Sequence, residues 1–182
     1  MKGRQLKFVF KITVVGDSAV GKTSLIKQYT QGSFEDDYIS TIGAQFSNYN
    51  EEIDGDKCNL FIWDIAGEKE FKFLRSQFYM DSKAAILVYS LEENNRGTKS
   101  FSHLKDWHED IKKHCGEIPV IIFANKVDLI DEININDSEI QKLVKENNLI
   151  GVYRTSAKTG QGVTEAFQKI IRVLHNHYKS LI

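Results

Sequence analysis

Apolar runs of strand length alternate with segments of helical period along most of the chain. Residues 8–15, FVFKITVV, read as a largely buried strand, and residues 22–31 follow as a helix. Residues 44–53 and 58–64 flank Asp54-Gly55-Asp56-Lys57, a short turn signal, and predict a hairpin. KAAILVYS at 83–90 and VIIFA at 120–124 are short apolar runs with polar flanks. Their lengths suit buried parallel strands better than helices. Phe101, Leu104, Trp107 and Ile111 recur every three to four residues and predict a helix. Ile140, Leu143 and Val144 mark another. Val163, Ala166, Phe167, Ile170, Leu174 and Tyr178 mark the last, which runs to the end of the chain. Strands separated by helices call for right-handed crossovers, so the expected class is α/β. The expected architecture is a mostly parallel sheet, one antiparallel edge strand from the hairpin, and helices on both faces. No repeat or linker interrupts the pattern. Residues 1–182 are expected to form a single domain, with residues 1–7 as an N-terminal extension and 179–182 as a short C-terminal end.

Composition narrows the function more than the fold. The length of 182 residues suits one domain. With 24 basic and 25 acidic residues the net charge is −1, which excludes a nucleic-acid binder working by bulk electrostatics, though not a local patch. No nucleic-acid partner is expected. Cys58 and Cys115 form no CxxC pair and read as small reduced hydrophobes, as in a cytoplasmic protein. No run of 18 apolar residues is present to span a membrane. Lys11 breaks Phe8-Val9-Phe10 too early for a signal peptide, and Lys2 excludes N-myristoylation.

The chemistry starts where the first strand ends. Gly16-Asp17-Ser18-Ala19-Val20-Gly21-Lys22-Thr23 matches G-x-x-x-x-G-K-[ST] between a strand and a helix. Such a loop turns several backbone N–H groups inward on a phosphate chain, and its glycines let the backbone come close. Lys22 brings positive charge to the outer phosphates, Thr23 offers a hydroxyl to Mg²⁺, and the helix presents its positive end. The bland alternative is a glycine-rich turn with a surface lysine.

Three further segments gain meaning from their order. Residues 120–124 run into Asn125-Lys126-Val127-Asp128. A carboxylate at the C-terminal edge of an α/β sheet is well placed for a ligand. Asp128 can accept from both the N1–H and the 2-amino group of guanine, a pair that adenine lacks. Alone, the segment reads more readily as an Asn/Asp turn after a strand. Thr155-Ser156-Ala157-Lys158-Thr159-Gly160 reads alone as a polar loop. The second hairpin strand ends in Trp63-Asp64-Ile65-Ala66-Gly67. Asp64 can hold Mg²⁺ through water there, and Gly67 can bring an N–H to a terminal phosphate. A Thr41 hydroxyl can reach the same ion when a γ-phosphate orders its loop.

Taken in order, GDSAVGKT, Thr41, DIAG, NKVD and TSAK resemble the nucleotide motifs of the small GTPases of the Ras superfamily, from about residue 8 to residue 178. Within it the chain is most similar to the Rab proteins, through GDSAVGKTSL, YISTIGAQF, the tryptophan-to-phenylalanine pattern from Trp63 to Phe71, ILVYSL and ANKVDL. The resemblance implies the P-loop NTPase G-domain fold with a six-stranded sheet, and GTP, GDP and Mg²⁺ as ligands. It implies that Ser18, Ala19, Val20, Gly21, Lys22, Thr23 and Ser24 wrap the phosphates with Gly67. Phe34 would meet the guanine edge-on, and Tyr38 and Thr41 would close over the nucleotide. Asn125, Lys126 and Asp128 would hold the base, with Ala157 donating to guanine O6 and Ser156 and Lys158 shaping its loop. Thr23, Thr41 and Asp64 would hold the metal. Glu68, Lys22 and Thr41 would be the catalytic residues. Residues 34–43 and 65–79 would be the switch regions. Exchange factors, GTPase-activating proteins and effectors would bind through residues 34–46 and 63–79, with Phe46, Trp63 and Tyr79 as the aromatic triad that effectors read.

The sequence also departs from that pattern. Glu68 stands where the family has the glutamine that orients the attacking water. Glutamine donates and accepts, whereas an ionised glutamate only accepts and adds negative charge near a negative transition state. Ile65 replaces a threonine, and Gln45 an acidic residue. No cysteine follows Cys115, so the prenylated tail of a Rab is not within this sequence. Membrane contact is expected only through a tail or partner outside the chain, and the protein itself is expected to be a monomer. The leading expectation is a GTP/GDP switch with slow hydrolysis. A GTP-holding scaffold that scarcely turns over is the alternative. A nucleotide kinase would need a lid of arginines and leaves NKVD unexplained.

Overall fold

The computed structural model describes residues 5–35, 40–132 and 137–182. Six strands form one sheet: β1 (Lys7–Val15), β2 (Ala44–Ile53), β3 (Asp56–Ile65), β4 (Ala84–Ser90), β5 (Val120–Asn125) and β6 (Val152–Thr155). The spatial order is β2-β3-β1-β4-β5-β6. Every neighbouring pair is parallel except β2 with β3. The helices are α1 (Lys22–Gln31), α2 (Arg75–Tyr79), α3 (Asn95–Ser102), α4 (Leu104–Cys115), α5 (Ser138–Glu146) and α6 (Val163–Lys179). A 3₁₀ turn over Lys69–Leu74 leads into α2.

The apolar pattern explains the layers. Every residue of β4 and β5 is buried, as strands covered on both faces require. One core packs Phe10, Ile12 and Val14 of β1 with Ile86 and Val88 of β4 against Leu25 of α1 and Phe167, Ile170 and Leu174 of α6. A second, on the other face, packs Leu87 and Ile122 against Leu104, Trp107 and Ile111 of α4 and Ile140 of α5. The first half of β1 is less buried than its sequence suggests. Lys7 and Val9 face outward, Val9 at 60% exposure, because they lie beyond the reach of that second helical layer. The hairpin turn is shorter than its polar residues suggest. Asp56 and Lys57 already pair with Ile53 and Glu52.

The segment 95–115 is two helices, not one. α3 starts on Asn94, whose side chain accepts from the N–H groups of Arg96 (2.9 Å) and Gly97 (3.1 Å). The break falls at His103, whose ring reaches Asp17 in the loop after β1 (2.7 Å). A tertiary contact therefore interrupts a helical period that runs through it. Both cysteines are free thiols, Cys58 buried and Cys115 half-buried. Among the described residues no helix is long and apolar enough to cross a membrane.

Candidate functional site

The C-terminal ends of the parallel strands open into a cleft of about 310 Å³. The loop after β1 forms its floor. Gly16 has φ 147°, and a Cβ there would lie 2.2 Å from the Val88 carbonyl oxygen, so only glycine lets this loop leave the sheet so tightly. Gly67, after β3, approaches the same loop. A Cβ on it would fall 2.3 Å from the Ser18 nitrogen. The two loops are thus in backbone contact at the point where a phosphate chain would enter.

Lys22 begins α1 and is almost wholly buried. Its ammonium donates to the carbonyls of Gly16 (2.9 Å) and Asp17 (2.8 Å), a folded-back arrangement that leaves it beneath the loop. Burial pushes its pKa down, and Asp64, Glu68 and Asp17 only partly restore it. Thr23, Thr41 and Asp64 converge beside it. The Thr23 hydroxyl donates to Asp64 Oδ2, the Thr41 hydroxyl donates to the same oxygen at 3.3 Å, and the two hydroxyls are 3.1 Å apart. Asp64 is 3% exposed, and its other oxygen, Oδ1, has no partner among the described residues. Burial pushes the Asp64 carboxyl up, and Lys22 and the two threonines do not offset it. A hard, oxygen-seeking cation that keeps most of its waters fits this set of two hydroxyls and one under-satisfied carboxylate. Among the described residues no cluster of three or more His, Cys, Asp or Glu side chains could hold a metal, which leaves hydroxyls as the main donors here.

Glu68 reaches across this end of the cleft. Its Oε1 accepts from the hydroxyls of Ser18 (2.8 Å) and Ser40 (2.7 Å). Partial burial raises its carboxyl, but hydrogen bonds from Ser40 and Ser18, a backbone N–H and the Lys22 charge together hold it below its ordinary value. Arg75 fixes the backbone on either side, donating to the carbonyls of Gly67 (3.3 Å) and Glu68 (3.2 Å). Its guanidinium lies 4.1 Å over the Trp107 ring, and Trp107 Nε1 donates to Asp17 at 2.8 Å.

The opposite end is built by β5 and the loop after β6. Asn125 is buried. Its amide nitrogen donates to the Val20 carbonyl (2.9 Å), and its oxygen accepts from the Ala157 N–H (3.2 Å) and the Thr155 hydroxyl (3.3 Å). One side chain thereby ties the end of β5 to the phosphate loop and to the end of β6 with the loop that follows it. Lys126 turns the chain off the strand with φ 68°, a left-handed conformation unusual outside glycine, and its ammonium binds Glu92 at 2.8 Å. Asp128 is exposed on the wall and accepts from the Ser156 hydroxyl at 2.5 Å. Ser156 itself is fully buried and accepts from the Thr159 N–H, which fixes the loop bearing Ala157 and Lys158.

Most of the residues expected at the site line this one cleft: Ser18, Ala19, Gly21, Lys22, Thr23, Ser24, Phe34, Thr41, Gly67, Glu68, Asn125, Lys126, Asp128, Ala157 and Lys158. The Val20 side chain is in the core, Ser156 lies beneath the wall, and Asp64 is buried behind Thr23 and Thr41, which bind it through their hydroxyls; Tyr38 lies outside the described residues. Lys27, Glu35 and Leu129 also line the cleft and were not anticipated. Lys27 and Glu35 form an ion pair of 2.7 Å. Lys27 stands one helical turn after Thr23, a spacing that places both on one helix face.

The aromatic triad needs correction. Phe46 (53% exposed) stacks near Trp63 at 5.8 Å, and Trp63 near Phe78 at 5.7 Å. Tyr79 is fully buried and donates to Asp110 at 3.0 Å. Phe78, not Tyr79, completes the row: adjacent residues on a helical turn face different sides, so Tyr79 enters the core while Phe78 stays half-buried beside Trp63 at the edge of that same core.

A strand–loop–helix phosphate cradle, hydroxyls grouped about a buried aspartate and a carboxylate at the far wall define a P-loop nucleotide-binding domain. Comparison with known proteins gives the family. Residues 11–176 match the Ras family. The chain is 34% identical over 165 residues to the Ras-related protein Rab-13 of Bos taurus, covering 90% of this chain and 79% of that one. It is 37% identical over 163 residues to the Ras-related protein Rab-21 of Bos taurus, covering 88% and 70%. The human Rab-21 is 36% identical over the same number of residues. The chain belongs to the Ras family of small GTPases and is similar to the Rab proteins within it.

Proposed function

We propose that this protein is a single G domain that binds GTP and GDP with Mg²⁺, hydrolyses GTP slowly, and works as a Rab-like switch in membrane trafficking. The observation that carries the reading is the meeting of Lys22, the Thr23–Thr41–Asp64 group, Glu68 and Asp128 around one cleft. Asp128 reads the guanine N1–H and 2-amino donors, and Ser156 orients it. Lys22 sets its charge against the outer phosphates, and Gly67 brings its N–H to the last of them. Thr23 and Thr41 would hold Mg²⁺ directly and Asp64 would do so through water. The ion supplies charge neutralisation on the phosphates.

Glu68 decides the rate. Its carboxylate can accept from an attacking water but offers no donor to the charge that develops on the phosphoryl group. Loss of one such donor is worth roughly 10²–10³ in rate. Intrinsic hydrolysis is expected at or below about 10⁻⁴ s⁻¹. Single-turnover hydrolysis at saturating GTP and Mg²⁺ tests this. Glu68→Gln is expected to accelerate it severalfold or more, and an unchanged rate removes Glu68 from catalysis.

The same residue favours a second reading, a GTP-holding scaffold with scarcely any turnover. Phosphate release with an added GTPase-activating protein separates the two. Exchange factors, activating proteins and effectors would engage residues 34–46 and 63–79, where Phe46, Trp63 and Phe78 offer the aromatic face.

A further inference from the structure

Glu68 does more in this fold than stand in for a glutamine. Its carboxylate oxygen accepts two hydroxyl hydrogens from two different loops, Ser18 of the phosphate loop and Ser40 of the loop that leads into β2. It also lies close enough to Lys22 for the two charges to interact. A fixed anion held by hydroxyls of both loops, beside the phosphate-loop lysine, is the arrangement a terminal phosphate would itself require. We infer that the Glu68 carboxylate is a tethered surrogate for the terminal phosphate, competing with it for Ser18 and Ser40 and shifting nucleotide preference from GTP toward GDP.

The placement is not a matter of one flexible side chain. Arg75 clamps the carbonyls of Gly67 and Glu68, its guanidinium lies over Trp107, and Trp107 is bound to Asp17 in the phosphate loop. Gly67 rests against the backbone of residues 16–18. The main chain at Glu68 is therefore tied to the phosphate loop independently of its side chain. The carboxylate therefore needs little ordering to reach the two serines. GDP has no third phosphate and leaves the bridge in place. GTP must break two charge-assisted hydrogen bonds and set a second anion beside Glu68. The bridge also joins the phosphate loop to the loop before β2 without a γ-phosphate, so the change in shape between the two nucleotide states is smaller than it would be with a neutral residue here.

This inference rests on the reading of the cleft as a guanine-nucleotide site, and its own readout is binding, with hydrolysis used only to separate it from the catalytic reading. Dissociation constants for GDP and for guanosine 5′-(β,γ-imido)triphosphate are measured with Mg²⁺ on the parent, Glu68→Ala, Glu68→Gln and Glu68→Asp. Removing the charge in the Ala and Gln variants is expected to improve the analogue's affinity relative to GDP by about tenfold to a hundredfold, the worth of charge-assisted hydrogen bonds. Aspartate, one methylene shorter, loses its hold on the two serines and is expected to shift the ratio in the same direction. An unchanged ratio in Ala and Gln overturns the surrogate. So does an Asp variant that matches the parent, since charge alone would then explain the preference. If none of the proteins binds either nucleotide, it is the reading of the site that fails. If the ratio shifts while hydrolysis by Glu68→Gln stays at the parental rate, the catalytic reading fails and the surrogate stands.

Discussion

Strand β3 carries a buried aspartate at each end, and the two are built in opposite ways. Asp56, at its start, is satisfied from three sides. It accepts from the Leu6 N–H (2.9 Å), from His175 (2.8 Å) and from Lys179 (2.7 Å), and these partners hold its carboxyl well below the ordinary range. It pins the hairpin to the last helix and to the chain before β1. Asp64, at the other end, accepts from two hydroxyls, keeps Oδ1 without a partner among the described residues, and has its carboxyl raised by burial more than nearby Lys22 lowers it. One carboxylate completes the fold from within the chain. The other keeps one oxygen that no described residue satisfies, and it sits where the phosphate loop ends. A buried anion that the fold leaves unsatisfied is the stronger sign of function.

Replacing each aspartate sharpens the contrast. Asp64→Ala is expected to weaken Mg²⁺-dependent GDP affinity by about a hundredfold or more, since it removes the only carboxylate in the group of metal donors. Its melting temperature without nucleotide should fall less than that of an Asp56 variant, because the lost carboxylate was only partly satisfied, although the buried Lys22 loses a charge partner. GDP titrations with and without chelator, beside thermal melts, read both effects. A fall in stability equal to that of an Asp56 variant would erase the distinction. Asp56→Ala is expected to lower the melting temperature by about 5 °C, with GDP affinity within about twofold of the parent.

The two carboxylates should also respond to pH with opposite signs. Asp56 titrates lower in the folded state than unfolded. Its stabilisation is complete above the ordinary carboxylate value of about 4 and is lost as pH falls through the folded value. Asp64 titrates higher when folded, so its ionised form costs stability as pH rises through that ordinary value toward the folded one. Denaturant unfolding between about pH 3 and 7, without metal, should show the parent gaining on Asp56→Asn as pH rises. Over the same range Asp64→Asn should gain on the parent. Parallel curves would mean that neither environment matters.

Asp128 lies between these extremes, exposed but held by the Ser156 hydroxyl. Removing that hydroxyl loosens the carboxylate without removing it. Ser156→Ala is therefore expected to weaken GDP binding only about threefold, with Mg²⁺ dependence unchanged. A loss as large as that of Asp64→Ala would mean that Ser156 acts on the nucleotide directly.

What the sequence determined by itself was whatever is written locally. The strand–loop–helix of residues 16–23 needs its glycines and lysine at fixed spacing, and the apolar runs at 83–90 and 120–124 fall within about a residue of β4 and β5. The order of the motifs also placed Asp64, Asp128 and Ala157 at strand ends, because a parallel sheet brings all its C-terminal edges to one side. Tertiary structure decided the rest. Periodicity could not tell that Tyr79 is fully buried while Phe78 stays half-buried beside Trp63, because both lie in one turn against the same core and only its packing decides which of them it encloses. Nor could it see that His103 would leave its helix for Asp17, 86 residues earlier. Asp56 and His175 are 119 residues apart, and Ser18 and Glu68 are 50. Hydrogen bonds at such separations depend on how the sheet is stacked and covered, and no local pattern in the chain encodes them.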